Sequence, residues 1–111
     1  MKVVEKVWGH ELWVVNCPEY CGKLLHVNKG FTCSVHYHPV KQESFYCLEG
    51  HVELHVEGHT YQLDATAEPV TIKPSQKHCF TGVDNKSVLL EVSTEHSETD
   101  VVRITESRKG K

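Results

Sequence analysis

The sequence predicts an all-β domain, and three observations carry that prediction. Apolar and polar residues alternate in short runs, glycine- and asparagine-containing turns separate the runs, and no segment keeps a helical period over three turns. Many short strands joined by glycine turns are typical of a β-sandwich or a β-barrel. In chain order, the predicted strands are Glu11–Val15, Gly22–Val27, Thr32–His38, Ser44–Leu48, His51–Val56, Thr60–Leu63, Pro69–Ile72, His78–Gly82, Val88–Ser93 and Asp100–Ile104.

The run from 51 to 56 illustrates how this alternation assigns side chains to the two faces of a strand. Its valines and leucine share one face, which we expect to be buried, and its polar residues share the other. His51, His55 and His59 recur every four residues, a spacing that would align metal ligands on a helix. The turn at Gly58 separates His59 from the strand, so we expect these three histidines on the surface and not at a metal.

Length and charge bound the classes of function. The 111 residues are expected to form one domain over 1–111, in which residues 107–111 are a frayed basic tail. The net charge of −3 argues against a nucleic-acid partner, since a phosphate binder presents a basic face. No segment reaches the roughly 20 apolar residues of a membrane span, and no signal peptide is apparent. Five scattered cysteines are expected to be reduced thiols, which favours a cytoplasmic location.

Four side chains form a candidate metal site. His36 and His38 stand one residue apart, so on a strand they project to the same face. Glu43 follows after a short loop, and His78 comes about one hairpin pair later. Three imidazoles and a carboxylate suit one divalent transition metal, such as Mn, Zn, Fe, Ni or Co. Metal coordination would also remove the cost of burying an unpaired carboxylate.

The spacing of this segment resembles the first signature of the cupins, a family of small double-sheet β-barrels of the jelly-roll type. The segment reads Gly30, five residues, His36, Tyr37, His38, four residues, Glu43, six residues, Gly50. The resemblance implies a cupin-type double-stranded β-helix, in which these ligands and the histidine of a second motif hold a metal inside the barrel. The second motif keeps its histidine, His78, whereas the family's Pro-x-Gly positions hold Lys73 and Ser75.

A further resemblance covers nearly the whole chain and is to the cupin domain of type II mannose-6-phosphate isomerases. Trp8-Gly9 is similar to the family's opening Pro-Trp-Gly, and the stretch from Asp100 to Ile104 looks like its closing Asp-Ile-Val-Arg segment. The chain departs from the family at His36, where the family typically has Gln, and at Lys41, where it has Arg. The resemblance implies a small-molecule substrate, either a sugar or a sugar phosphate.

The same resemblance implies a metal-dependent aldose–ketose isomerase. That reaction needs a polarised carbonyl group and one side chain that carries a proton between C1 and C2. Leu89, Glu91 and Ser93 share one face of their strand, and Glu91 is a possible base if that face lines the barrel interior. Charged donors nearby would hold a phosphate or sugar hydroxyls. The candidate proton carriers are Glu91, His96 and Glu98, and the candidate substrate-binding residues are Lys23, Lys41 and Arg103.

Two other functions stay open on the same residues. Three histidines and a glutamate can equally ligate Fe(II), as an oxygen-using cupin dioxygenase requires. A non-catalytic module that binds a carbohydrate or another metabolite is also compatible, because a fold alone does not give a function. The N-terminal segment, about 2–8, is expected to form a strand that is exchanged between two copies in a homodimer.

Overall fold

Strands arranged in two antiparallel sheets make up the regular structure of the protein. The computed structural model describes residues 1–110, and within them every regular element is a strand. No helix in this part of the chain is long and apolar enough to cross a membrane. The strands are β1 Lys2–Lys6, β2 Gly9–Asn16, β3 Cys21–Val27, β4 Phe31–Thr32, β5 His36–Tyr37, β6 Glu43–Glu49, β7 Val52–Val56, β8 His59–Leu63, β9 Val70–Ile72, β10 His78–Gly82, β11 Ser87–Ser93, β12 Val102–Arg103 and β13 Arg108–Lys109.

The order of the strands differs from their order in the sequence. One sheet runs β1-β2-β3-β11-β6-β9. In the other sheet, β10 pairs with β7 on one side and with β4 and β5 on the other, and β8, β12 and β13 lie further out. The sheets therefore join strands that are distant in the chain, as in a jelly-roll barrel. The all-β fold predicted from the sequence is confirmed.

The core lies between the two sheets because the alternation of side chains turns one face of each strand inward. In β3, Cys21, Lys23, Leu25 and Val27 are buried, while the residues between them are partly exposed. Burial of an aliphatic or aromatic side chain typically stabilises a fold by about 1.5–3 kcal/mol. The largest members of the core cluster are Trp8, Leu25, Phe45, Leu54, Leu63, Ile72, Phe80 and Leu89.

The strand predicted over Thr32–His38 is interrupted in the structure. β4 and β5 both pair with β10, but residues 33–35 lie between them outside any strand. Side chains of the C-terminal segment accept hydrogen bonds from the backbone there. Ser34 N–H donates to Ser107 Oγ, and Val35 N–H donates to Thr105 Oγ1. These hydroxyl acceptors replace the partner strand, and a sequence pattern gives no indication of them.

Both ends of the described chain take part in the sheets. β1 forms a hairpin with β2 of the same chain, so exchange of this strand between copies stays a prediction. The C-terminal segment differs from the expected frayed tail, because β13 pairs with β4 through Arg108 and Thr32. Of the predicted tail, Lys111 falls outside the described residues.

The three histidines predicted to be non-ligands lie away from the candidate site. His51 Nε2 and Gln62 Oε1 are 2.5 Å apart, and His55 Nδ1 lies 3.0 Å from Thr60 Oγ1. The His55 pair joins β7 to β8, the His51 pair joins the residue just before β7 to β8, and His59 is exposed. Their expected place on the surface is confirmed.

Candidate metal centre

Strands from both sheets position the four candidate ligands inside the barrel. His36 opens β5 and lies opposite His78, the first residue of β10. His38 follows β5 on the same face as His36, as the one-residue spacing predicts. Glu43 opens β6, where the burial of alternate residues turns its side chain inward. Each ligand thus stands at or just beyond the end of a strand.

The structure brings the three histidines into one cluster. One ring nitrogen from each of His36, His38 and His78 lies within 4.8 Å of the others. The opposite nitrogen of every ring faces a main-chain carbonyl oxygen. His36 Nδ1 lies 2.7 Å from Ser34 O, His38 Nδ1 lies 2.7 Å from Asp100 O, and His78 Nδ1 lies 2.9 Å from Gln76 O.

These carbonyl contacts determine the tautomer of each ring. A carbonyl oxygen only accepts hydrogen bonds, so Nδ1 must carry the proton in all three histidines. In each ring, Nε2 is then the nitrogen that remains available as a metal ligand. A histidine that ligates a metal typically donates its other N–H to a carbonyl or carboxylate, which orients the ring. The cluster has this arrangement in all three positions.

Glu43 lies beside two of the histidines. Its Oε2 is 3.1 Å from His38 Nε2, and its Oε1 is 3.7 Å from His78 Nε2. Burial raises the pKa of this carboxyl, but contacts with His38 and His78 and the charge of Lys41 outweigh burial and hold the pKa well below its usual value. Glu43 is therefore a buried carboxylate, only 3% exposed.

The donor set fits a divalent cation. Glu43 Oε2 and His78 Nε2 are both buried and lack a hydrogen-bond partner. When His38 carries its proton on Nδ1 alone, as a metal ligand would, its Nε2 and Glu43 Oε2 are two acceptors that face each other across 3.1 Å. Ligand atoms about 2.0–2.2 Å from one metal ion are themselves about 3 Å apart, so a cation would resolve this repulsion.

The charge state of the imidazoles also suits metal binding. Burial lowers the pKa of His36 to about 3, and the neighbouring His78 contributes to the same shift. His36 is therefore neutral at physiological pH. Neutral imidazole is the form that donates a lone pair to a metal.

The histidine cluster borders a cavity of about 240 Å³ that is lined by both sheets. Its wall near the cluster includes the apolar side chains of Leu25, Phe45 and Phe80. Charged groups occupy the remaining wall and the mouth, and they include all six of the predicted catalytic and substrate-binding residues. These six are Lys23, Lys41, Glu91, His96, Glu98 and Arg103.

Lys41 and Glu91 form a buried ion pair in the wall of the cavity. Lys41 Nζ lies 2.7 Å from Glu91 Oε2 and 4.0 Å from Glu43 Oε2, and both side chains of the pair are at most 5% exposed. Burial lowers the pKa of Lys41, but the two carboxylates outweigh burial and raise it overall. The face of β11 that carries Glu91 is the buried one, which is the condition under which Glu91 is a candidate base.

Lys23 and His96 meet at the mouth of the cavity. Lys23 Nζ is 3.1 Å from His96 Nδ1 and lies 4.1 Å from the centre of the Trp13 ring. His96 Nε2 reaches the mostly exposed Glu98 at 3.1 Å. Burial lowers the pKa of His96, and Lys23 lowers it further. The ammonium of Lys23 therefore donates to a neutral imidazole, whose Nε2–H donates to Glu98. Arg103 lies on the rim and is exposed.

Sequence reasoning did not assign a role to the β2 side of the mouth. Glu11 and Trp13 line the cavity, and Glu11 Oε1 lies 3.8 Å from Lys23 Nζ. Lys2 on β1 lies 4.3 Å from the Trp13 ring centre. The alternation of residues in β2 places Glu11 and Trp13 on a common face, and this pattern could have grouped the two residues from the sequence. The pairing of β2 with β3 was needed to place them beside Lys23.

Comparison with known proteins supports the architecture. The profile of the cupin domain family matches residues 23–93. The D-lyxose/D-mannose isomerase of Thermosediminibacter oceani is 31% identical over 121 aligned positions, which cover 85% of this chain. The chain spans 66% of the length of that relative.

Two solved structures share the fold at low sequence identity. The capsular polysaccharide assembling protein CapF from Staphylococcus aureus superposes with a TM-score of 0.84 at 16% identity, over 94% of this chain and 31% of CapF. KdgF from Halomonas sp. superposes with a TM-score of 0.74 at 14% identity, over 81% of each chain. Because the family profile covers more than half of the sequence, the chain belongs to the cupin family.

Proposed function

We propose that this cupin is a metal-dependent aldose–ketose isomerase that acts on a sugar or a sugar phosphate. In this proposal, His36, His38, Glu43 and His78 hold one divalent transition metal. The observation that carries the proposal is the cluster of three histidines whose ring nitrogens lie within 4.8 Å of one another, with every Nδ1 facing a carbonyl oxygen and the buried Glu43 carboxylate beside His38 and His78. The similarity to a D-lyxose/D-mannose isomerase supports a sugar as the substrate.

The metal would supply Lewis-acid polarisation of the substrate's carbonyl group and would stabilise the negative charge that develops on its oxygen. The protein residues around it would orient the sugar and move the proton. Phe45 and Phe80 form an apolar wall that limits water near the reacting carbons. The cavity volume of about 240 Å³ lies just below the roughly 300–1,000 Å³ of typical ligand pockets, which favours a small substrate such as a single sugar.

Glu91 is the proton carrier that the site favours. It is buried within the cavity wall, where the ammonium of Lys41 lies 2.7 Å from its Oε2. An ionised carboxylate can remove the proton from C2 and return it to C1. Lys41 would stay protonated and donate to a substrate oxygen, since it lies between Glu91 and Glu43.

His96 and Glu98 are less suited to that step. The Nδ1 lone pair of His96 already accepts from Lys23 at 3.1 Å, and its Nε2–H is directed at Glu98. Glu98 has 77% of its side chain exposed at the mouth. We assign these residues, with Lys23 and Arg103, to the end of the substrate that lies away from the metal.

The experiment that tests the proposal combines elemental analysis with an isomerase screen. The purified protein is expected to contain a divalent transition metal and to interconvert an aldose and a ketose, free or phosphorylated, in the absence of oxygen. His38→Ala should remove both the metal and the activity, whereas His59→Ala, which changes an exposed histidine, should keep both. Full metal retention in His38→Ala would contradict the ligand set.

The same experiment separates the competing functions. An iron-loaded protein that consumes oxygen and isomerises no sugar would identify a dioxygenase, for which the donor set is equally suited. A protein that binds a metal and a sugar but converts no substrate would be a binding module. Each outcome would replace the isomerase proposal.

The location and assembly of the protein are separate parts of the proposal. We place it in the cytoplasm, because Cys17, Cys21, Cys33, Cys47 and Cys79 are all free thiols. We also propose a homodimer in which residues 2–8 are exchanged between copies. Sedimentation analysis of the full chain and of a variant lacking residues 1–7 tests this, since only an exchanged dimer should dissociate on the deletion.

A further inference from the structure

Asp100 makes three contacts with the chain segment that carries two site residues. Its main-chain oxygen lies 2.7 Å from His38 Nδ1. Its carboxylate accepts from two successive backbone N–H groups, with Oδ1 at 2.9 Å from Val40 N and Oδ2 at 2.9 Å from Lys41 N. A single residue between β11 and β12 therefore contacts both the His38 ring and the backbone of Lys41.

Asp100 holds the middle of this segment, whose ends are held by hydrogen bonds from Ser75 N–H to His38 O at 2.8 Å and from Thr94 N–H to Gln42 O at 3.0 Å. Residues 38–42 link β5 to β6 without regular structure, and the Val40 side chain is 76% exposed. Without the Asp100 carboxylate, the N–H groups of Val40 and Lys41 would lose their partners. The side chain of Lys41 reaches Glu91 from this segment, so the position of the backbone decides the position of the ion pair.

A backbone hydrogen bond holds Asp100 itself in place. Its N–H donates to Ser97 O at 3.0 Å, which closes a turn just before β12. A second connection joins the same two segments, because Gln42 N–H donates to Thr94 Oγ1 at 3.1 Å. This second connection touches neither a histidine nor Lys41, so it provides a matched control.

We propose that Asp100 is a positioning residue of the candidate metal centre. Through its carbonyl oxygen it orients His38, and through its carboxylate it sets the backbone of Lys41, so that one residue aligns a metal ligand with the Lys41–Glu91 pair. The inference rests on the proposed metal site. It assigns Asp100 no direct contact with metal or substrate.

The test measures Co²⁺ binding by competition with a chelator and the visible absorption spectrum of the Co²⁺-loaded protein. Asp100→Ala keeps the main-chain oxygen that faces His38 and removes only the carboxylate that holds the backbone of Val40 and Lys41. Loss of a supporting group around a metal site typically weakens metal binding by about 10–100-fold. We expect Asp100→Ala to weaken Co²⁺ binding within that range and to shift the spectrum. Asp100→Asn keeps one acceptor oxygen and should lose about tenfold or less. Thr94→Val should bind within about threefold of the parent protein, with the parent's spectrum.

Two results would overturn the inference. One is an Asp100→Ala protein that binds Co²⁺ as tightly as the parent and has the parent's spectrum. The other is a Thr94→Val protein that loses as much affinity as Asp100→Ala, since a general loosening of the loop would then explain both. If Asp100→Ala does not fold, as judged by circular dichroism, the comparison of Asp100→Asn with Thr94→Val decides. A parent protein that binds no divalent cation would instead refute the proposed function.

Discussion

Removal of the negative charge at Glu91 should destabilise the metal-free protein by several kcal/mol. The change is Glu91→Leu, which leaves Lys41 buried with Glu43 as its remaining partner at 4.0 Å. At an effective dielectric constant of about 20, an ion pair at 2.7 Å has a Coulomb energy of about 6 kcal/mol, and one at 4.0 Å has about 4 kcal/mol. More than half of the attraction that offsets the desolvation of Lys41 would therefore be lost.

Deprotonation of the lysine limits this cost. A lysine with an ordinary pKa of about 10.4 becomes neutral at pH 7 for about 4.6 kcal/mol, so the loss cannot exceed that value by this route. We expect Glu91→Leu to lower the free energy of unfolding by about 3–4 kcal/mol, in line with other broken buried ion pairs. Glu91→Gln should lose less, because its amide oxygen can still accept from Lys41.

Urea unfolding of the metal-free variants measures the effect, and a double-mutant cycle isolates the pair. Lys41→Met combined with Glu91→Leu replaces both charges by apolar groups and should recover most of the loss. A Glu91→Leu protein that is destabilised by less than about 1 kcal/mol would refute the reasoning. So would a double variant that is as unstable as the single one, since an uncompensated charge could not then be the cause.

Three further predictions concern stability. The folded pKa of His36, about 3, lies below its unfolded value of about 6.5, so its contribution is complete above pH 6.5 and is lost as pH falls from 6.5 toward 3. Between these pH values, the unfolding free energy of the metal-free protein should fall by about 1.4 kcal/mol for each pH unit through this group. His36→Gln should remove this contribution, which corresponds to one proton taken up on unfolding. Ser75 has a φ of 70°, so Ser75→Gly should raise the unfolding free energy by about 0.5–1 kcal/mol in a urea titration; a loss would show that the serine is unstrained. Gly50 has a φ of 78°, and a Cβ there would lie 2.2 Å from Lys86 O. Gly50→Ala should therefore cost about 3 kcal/mol or more in thermal unfolding, and a cost below 1 kcal/mol would contradict this.

The sequence was sufficient to predict the strands that carry strong alternation. In β3, β6 and β7, buried and exposed residues follow the period of two that the pattern predicts. The grouping of Glu91 with Leu89 and Ser93 on one face followed from the same rule. The spacing of His36, His38 and Glu43 predicted that these side chains lie together, because residues so close in the chain share local geometry. Ser75 also illustrates a limit, since a backbone angle that usually requires glycine is adopted here by a serine.

Contacts between distant parts of the chain could be decided only by the tertiary structure. The pairing of His36 with His78 depends on β5 lying beside β10, and hydroxyl groups 70 or more residues away interrupt the predicted strand over 32–38. The buried Lys41–Glu91 pair and the contact of Asp100 with His38 span 50 and 62 positions in the chain. Local patterns report which face a side chain occupies, because strand geometry repeats every two residues. Which faces meet depends on how the whole chain minimises unpaired polar groups and exposed apolar surface, and that balance is not encoded in any single segment.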